Sequence, residues 1–297
     1  PTLYFEMKNY NEIVNNIPEI VKFIRDYVNN DEVLAVPVSG GLDSDVAARL
    51  CNLAVGSEHL HLFIVKQSGM SEKYFANAYK LAEDLAVELA VIDLGDMNLK
   101  LIDALSKADK KFVFDVNYVL DTARAHCSLR SAIISSYQDK GCIIVSNTNR
   151  TEKELGFFMP FGDNLGHIKP IEHLYKTEVQ ILASIVGTRH EVIEQCPSAA
   201  FWEDENDLED IAYWIYNKAP VMCGRVFSEQ ETQEVMKINA ELTQIKIDKL
   251  LEFFAHSSDV KAASEYSGIS LAVTKDFKTM LEASHKIKHR VLLKNAV

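Results

Sequence analysis

From residue 11 to 29 the apolar side chains Ile13, Ile17, Ile20, Val21, Ile24 and Val28 recur at helical spacing, which predicts an amphipathic helix. The pattern then shortens: 33–38 reads as a buried strand, closed by the turn-forming Ser39-Gly40-Gly41. Residues 43–53 return to helix, 60–65 to an apolar strand, 72–90 to helix and 90–94 to a third short strand. A helix rich in Ala, Ser and Ile is predicted over about 118–138, then a fourth strand at 142–145 that ends in the polar turn 146–149. Strands alternating with helices predict an α/β fold, a doubly wound parallel sheet with helices on both faces. Ligands of such sheets sit beyond the carboxyl ends of the strands, where the turns 39–44 and 146–152 should lie. From about Val221 the pattern is helical. Val235, Ile238, Leu242, Ile245 and Leu250 predict one long amphipathic helix. We therefore expect a sheet-bearing domain over 7–220, with 221–297 as a helical C-terminal extension packed on it. Residues 1–6, ahead of Met7, read as the remnant of an expression tag.

Composition adds bounds. The chain has 297 residues, 47% of them apolar and 25% charged, which suits a folded protein of one large or two modest domains. Lys and Arg number 31 against 43 Asp and Glu, a net charge of −12. That balance argues against a protein that coats nucleic acid or an anionic membrane, yet leaves room for a small cationic pocket. Apolar runs such as 142–145 fall far short of the ~20 residues that span a bilayer, and no secretory pattern opens the chain. The five cysteines are never spaced as CxxC and read as buried, reduced thiols of a cytoplasmic protein. No HExxH, Walker or GxGxxG motif is present.

The candidate chemistry begins at Ser39-Gly40-Gly41-Leu42-Asp43-Ser44, between a strand and a helix. Two glycines let backbone N–H groups approach an anion, and the helix N-terminus adds partial positive charge. Ser39 and Ser44 can donate to phosphate oxygens. Asp43 has the wrong sign for phosphate and the right one for a bridging Mg²⁺. A polyphosphate nucleotide with Mg²⁺ satisfies all of these groups together. The motif resembles the PP-loop of the N-type ATP pyrophosphatases, whose members cleave ATP between the α and β phosphates, adenylate an acceptor oxygen and let a nucleophile displace AMP.

The second half narrows the resemblance. Asn147-Thr148-Asn149-Arg150-Thr151-Glu152, Gly156-Phe157-Phe158 and Phe161-Gly162-Asp163 are similar to consecutive motifs of the NAD synthetase family. So are Lys169-Pro170-Ile171, Leu174-Tyr175-Lys176-Thr177, Pro197-Ser198-Ala199, the acidic Asp204-Glu205 and His285-Lys286. The resemblance implies an adenine nucleotide alpha hydrolase-like fold, ATP as substrate and Mg²⁺. Ser39, Gly40, Gly41, Ser44 and Ser198 would hold the ATP phosphates, and Asp43, Glu152 and Asn147 the metal. Lys176 would neutralise the leaving pyrophosphate, with Asp43 and Glu152 beside it in the catalytic set. Arg130, Asp163, His167, His285 and Lys286 would contact the acceptor. The family's members are generally homodimers.

Departures cluster on the acceptor side. The family's N-x-x-x-R-x-R helix corresponds here to a stretch around His126–Ala132 with one arginine, Arg130, and Pro160 and His167 replace a lysine and an acidic residue. Two substrates stay open at this point: deamido-NAD, or another carboxylic acid under the same chemistry. A tRNA-modifying enzyme would want a basic face and paired cysteines. A non-catalytic nucleotide module would not need Asp43, Glu152 and Lys176 together. The length leaves no place for a glutaminase domain, so ammonia is the expected nitrogen source, taken up free or delivered by a separate glutaminase subunit. The basic run 285–290 reads either as a helix end enriched in cations or as a tail over the substrate. Trp202 and Trp214 read as packing residues.

Overall fold

The computed structural model describes residues 7–29, 31–66, 70–159, 161–162, 164–198, 206–222 and 224–288. The first helix, α1 (Tyr10–Tyr27), starts where its first turn can be closed. The Asn9 side chain accepts the Glu12 N–H, and the Glu12 carboxylate accepts the Asn9 N–H. Four parallel strands follow: β1 (Leu34–Pro37), β2 (Leu60–Lys66), β3 (Leu89–Asp93) and β4 (Ile143–Ile144). Their order in the sheet is β3-β2-β1-β4. Leu34 stands opposite Leu60 on one side and Ile143 on the other. Val145 continues past β4 into a parallel bridge with Ile168.

This order sets where a ligand can sit. From β1 the chain moves to one side through α2 (Leu42–Val55) and α3 (Glu72–Asp84). It returns to the other side through α4 (Met97–Ala108) and α5 (Val119–Gln138). The reversal falls between β1 and β4, and the crevice beyond their carboxyl ends is the ligand position of such sheets. Both faces are buried, which explains the near-continuous apolar strands. Leu34, Val36, Leu62 and Ile64 pack under α1 and α2, whereas Ala35, Phe63 and Ile144 meet Ile134 of α5. Each of these Leu, Val, Ile and Phe side chains contributes roughly 1.5–3 kcal/mol of apolar burial.

The rest of the chain is helical: α6 (Arg150–Leu155), α7 (Lys176–Val186), α8 (His190–Ile193), α9 (Asp207–Asn217), α10 (Glu229–Glu241), α11 (Gln244–His256), α12 (Val260–Ser267) and α13 (Leu271–Lys288). α7 packs on the first face with α1 and α2 through Val179 and Leu182. Helices α9 to α13 enclose a second apolar cluster around Ile215, Ile247, Leu250 and Phe277, which also takes in Leu155 of α6 and Tyr175.

Three expectations need correction. The single helix expected across 235–250 is two, α10 and α11. Leu242 is extended and the Thr243 side chain accepts the Lys246 N–H to start a new helix. The spacing misled because Val235 and Leu250 reach the same apolar cluster from different helices. The helix expected to run to residue 90 ends at Asp84, and Ala86 then takes a positive φ of 54° that turns the chain into β3. Helix α4 was not anticipated, since Met97, Leu99, Leu101 and Leu105 are exposed and mark no buried stripe.

Candidate active site

The phosphate loop follows from the end of β1. Val38 still donates to Phe63 O at 2.8 Å, and then the chain folds onto itself. Ser44 Oγ accepts the Ser39 N–H at 3.1 Å and donates to Gly41 O at 3.0 Å, while Ser39 Oγ accepts the Gly41 N–H at 3.2 Å. Gly41 is the N-cap of α2 and supplies no capping side chain, so an incoming anion can take the place of a cap. Gly40 is required for two reasons. Its φ is +75°, and a Cβ there would lie 2.1 Å from the Tyr74 carbonyl oxygen of α3. Asn77 of α3 donates to Gly40 O at 3.2 Å and fixes the same contact.

The second loop, after β4, meets the first across the switch point. Asn149 caps α6 by accepting the Glu152 N–H, and its Nδ2 donates to Asp43 Oδ1 at 3.0 Å. Lys176, the first residue of α7, donates to the other oxygen of Asp43 in a largely buried ion pair. Glu152 lines the same cleft. Burial and the neighbouring Asp43 charge push its carboxyl well above the usual range. Burial alone would lower Lys176, but Asp43 and Glu152 outweigh it and hold the ammonium above its usual range. Asp207, at the start of α9, also faces this cleft and acts on both groups.

The donors fit Mg²⁺. Asp43 and Glu152 offer carboxylates, and Asn147, whose Nδ2 donates to Pro37 O at 2.5 Å, leaves a buried Oδ1 with no hydrogen-bond partner. Mg²⁺ is usually held by one or two carboxylates, with waters and phosphate oxygens completing the shell. Among the described residues no cluster of three or more His, Cys, Asp or Glu closes around an ion by itself.

From this point a cleft of about 690 Å³ extends along α5, where Leu120, Arg124, Cys127, Arg130 and Ile134 form one lining stripe. Phe157, Trp214 and Phe227 face it from the helical side. Val221, Arg225 and Phe227 border the cleft, and this part of the chain is tied to α5: Arg124 donates to Val221 O at 2.8 Å, and the Gly224 N–H donates to Tyr118 Oη at 3.3 Å. The guanidinium of Arg225 lies over the Phe227 ring at 4.4 Å.

Of the residues singled out in the sequence, Ser39, Gly41, Asp43, Ser44, Asn147, Glu152, Lys176, Ser198 and Arg130 border this one cleft. Gly40 supports it from behind. His167 does not join them: it is exposed, and its Nδ1 accepts the Ile144 N–H at 2.9 Å. His285 and Lys286 are exposed on the last turns of α13, with His285 Nε2 2.7 Å from Glu154 O, so 285–288 is a helix end. Asp163, Pro160, Trp202, Asp204 and Glu205 lie outside the described residues, as do 1–6, Cys223 and 289–297. Trp214 is buried and packs on Phe157, but it also borders the cleft. The cysteines are not uniformly buried. Cys51 and Cys127 are, Cys142 is partly so, and Cys196 is exposed at the cleft. Sequence reasoning missed Asn149, Arg124, Arg225 and Asp207. The capping pattern Asn149-x-x-Glu152 was a readable signal for the first, whereas nothing local marks the others.

The family model described as NAD synthase matches residues 16–264. The NH(3)-dependent NAD(+) synthetase of Methanocaldococcus jannaschii is 32% identical over 203 residues, 67% of this chain and 75% of that protein. The one from Fusobacterium nucleatum is 28% identical over 229 residues, 76% and 84% of the two chains. Among solved structures, NMN synthetase from Francisella tularensis superposes with a TM-score of 0.70 at 18% identity, over 97% of this chain and 99% of that one. NH3-dependent NAD synthetase from Campylobacter jejuni, in complex with nitrate, gives 0.62 at 18% identity, over 97% and 100%. These two likenesses show a shared fold. With a phosphate loop and its acidic and basic partners at the switch point, and a family match over most of its length, the chain belongs to the NAD synthase family.

Proposed function

We propose that this chain is an ammonia-dependent ligase that converts deamido-NAD to NAD with ATP, releasing AMP and pyrophosphate. One observation carries the reading: Asp43, Glu152 and Lys176, from three separate elements, converge beside an uncapped helix N-terminus in a cleft that continues past them. The acceptor carboxylate oxygen attacks the α-phosphorus, and the bond to the bridging oxygen breaks with its electron pair leaving on pyrophosphate. Ser39, Ser44 and the first N–H groups of α2 hold the phosphates in line, and Lys176 neutralises the charge that grows on the leaving group. Asp43, Glu152 and Asn147 would hold Mg²⁺, which when bound would supply further charge compensation for the phosphates. Ammonia then attacks the acyl carbon and AMP leaves with the electrons of the broken C–O bond, giving the amide. Incubation with ATP, Mg²⁺, ammonium and deamido-NAD should give saturable NAD formation matched one to one by pyrophosphate. No NAD despite bound ATP would refute the reading.

A second acceptor, nicotinate mononucleotide, is favoured by the ties to α5. Val221 and Gly224 are tied to Arg124 and Tyr118 at the α5 side of the cleft, and His167, expected at the acceptor, stays outside it. A shorter acceptor with the same carboxylate needs fewer contacts. Parallel kcat/KM values for the two acids decide between them.

Several coarser properties complete the proposal. The helical part from 221 onward is read as a layer of the same domain, since its apolar cluster includes Leu155 and Tyr175. A homodimer is supported by an exposed apolar face over 97–119, with Val113 at 92% exposure and Met97, Leu105 and Phe112 nearby in the chain. Lysines 100, 107, 110 and 111 alternate there with aspartates 96, 103, 109 and 115, a pattern that can complement itself across a two-fold axis. No described helix is long and apolar enough to cross a membrane; a cytoplasmic location is our reading from the cysteine usage and the family.

A further inference from the structure

Asp248 of α11 is fully buried and lies in the second apolar cluster's helix, away from the cleft lining, yet its carboxylate reaches both halves of the site. Oδ1 accepts from Thr151 Oγ1 at 2.6 Å and from Gln244 Nε2 at 3.0 Å. Oδ2 accepts from the Thr177 N–H at 2.9 Å and from Thr177 Oγ1 at 2.7 Å. Thr151 Oγ1 in turn accepts the Lys176 N–H at 2.9 Å. The two threonines are the chain neighbours of Glu152 and Lys176. One carboxylate therefore holds the side chain next to Glu152 on α6 and both the side chain and the backbone N–H next to Lys176 on α7.

We propose that Asp248 is a positioning residue for the adenylation step: through Thr151 and Thr177 it sets the separation of Glu152 and Lys176 around the ATP phosphates. Physical reasons support a role beyond packing. An apolar core surrounds this carboxylate, and ionised carboxylates are expelled from such places unless donors hold them. Here four donors converge, one of them the second N–H of α7, where the helix dipole favours an anion. None of these four donors is a cation, so neutral hydrogen bonds of defined geometry hold the carboxylate. Other contacts join α6 to the entry of α7, among them Arg150 N–H to Leu174 O at 2.8 Å and the Arg150 guanidinium over the Tyr175 ring, and Asp248 adds a link at the two threonines beside Glu152 and Lys176. A small shift of either would move Glu152 against Lys176, and misplacement of about 1 Å can cost about a hundredfold in rate.

The inference rests on the functional reading above, and its test separates the two. Thr151→Val keeps the shape of the side chain and removes the hydroxyl, while Thr151→Ser keeps the hydroxyl and removes a methyl. Asp248→Asn keeps the volume and turns an acceptor into a donor. For a folded wild type that forms product, we expect Thr151→Val and Asp248→Asn to lower kcat at least about tenfold with the acceptor KM within about twofold. Thr151→Ser should stay within about threefold of wild type. Calorimetry with Mg²⁺ and α,β-methylene-ATP, which cannot be cleaved, should show weaker binding by about three- to tenfold for the first two variants. In a Lys176→Ala background Asp248→Asn should add little, because the link acts through Lys176 and its neighbour. The proposal is overturned if Thr151→Ser loses as much as Thr151→Val, as a packing role demands. It is equally overturned if Thr151→Val keeps kcat and analogue affinity, or if the losses of Asp248→Asn and Lys176→Ala multiply in full. Should Asp248→Asn not fold, the Thr151 pair decides alone. If wild type itself makes no product, the functional reading fails, and the calorimetric arm still tests the brace.

Discussion

At Gly40 a single hydrogen separates a working loop from a blocked one. Gly40→Ala would place a methyl group against the Tyr74 carbonyl at a φ of +75°. We expect a loss of about 2–4 kcal/mol in urea unfolding, and loss of ATP binding with it. Glu152 shows the opposite balance. Its carboxyl is raised by burial and by Asp43. The folded state therefore binds the proton more tightly than the unfolded one, and stability falls as pH climbs from about 4.5 through the raised folded-state value. Glu152→Gln removes that decline. Its melting temperature should exceed wild type by a margin that grows with pH across this window, while AMP formation is lost. A margin that shrinks with pH would contradict the assignment. A buried carboxylate that costs stability at this position is what the proposed role of Glu152 calls for.

Helices α2, α3 and α8 are joined by a second charged cluster outside the cleft. Asp45 and Arg49 of α2 pair at 2.6 Å, Thr188 donates to Asp45, and Asp84 of α3 takes both Arg49 and Arg189 at 2.7 Å. The Arg189 guanidinium, with help from Arg49, holds Asp84 at about 2. A depressed carboxylate adds stability above its unfolded value, near 3.8, and loses it as pH falls through about 2. Asp84→Asn should cost about 1 kcal/mol at pH 7, allowing for solvent screening. The cost should vanish in unfolding measured at pH 2. The elements show what a sequence can disclose. β1, β2 and α2 were legible because their apolar runs and the Ser-Gly-Gly turn are local signals. The break at Leu242–Thr243 was not, because both helices feed one cluster and preserve the spacing across it. That Ser39, Ser44, Glu152 and Lys176 would come to one cleft was legible because motifs name those residues. Arg124, Asp207 and Asp248 were invisible, since their roles depend on which helices the fold brings together.

At the scale of the whole molecule, the described surface includes an apolar region that a lone chain leaves uncovered. The face over 97–119 exposes Phe112 and Val113 beside balanced charges in a chain whose net charge is −12. Sedimentation of the wild type should report a dimer at micromolar concentration. Val113→Asp combined with Phe112→Ser should shift it to monomer with little change in the far-ultraviolet spectrum. A wild-type monomer, or a dimer indifferent to both changes, would place any interface elsewhere.

The sheet order also carries a timetable. Pairing β1 with β2 joins Leu34 to Leu60, but pairing β1 with β4 joins Leu34 to Ile143 across a far longer stretch of chain. Long closures are slower to form. During refolding the phosphate loop can take shape while Glu152 and Lys176 are still remote. Recovery of nucleotide affinity should thus run ahead of recovery of turnover, and simultaneous return in a stopped-flow time course would show that β4 docks as early as β2. A half-folded chain of this design would hold a nucleotide without being able to spend it.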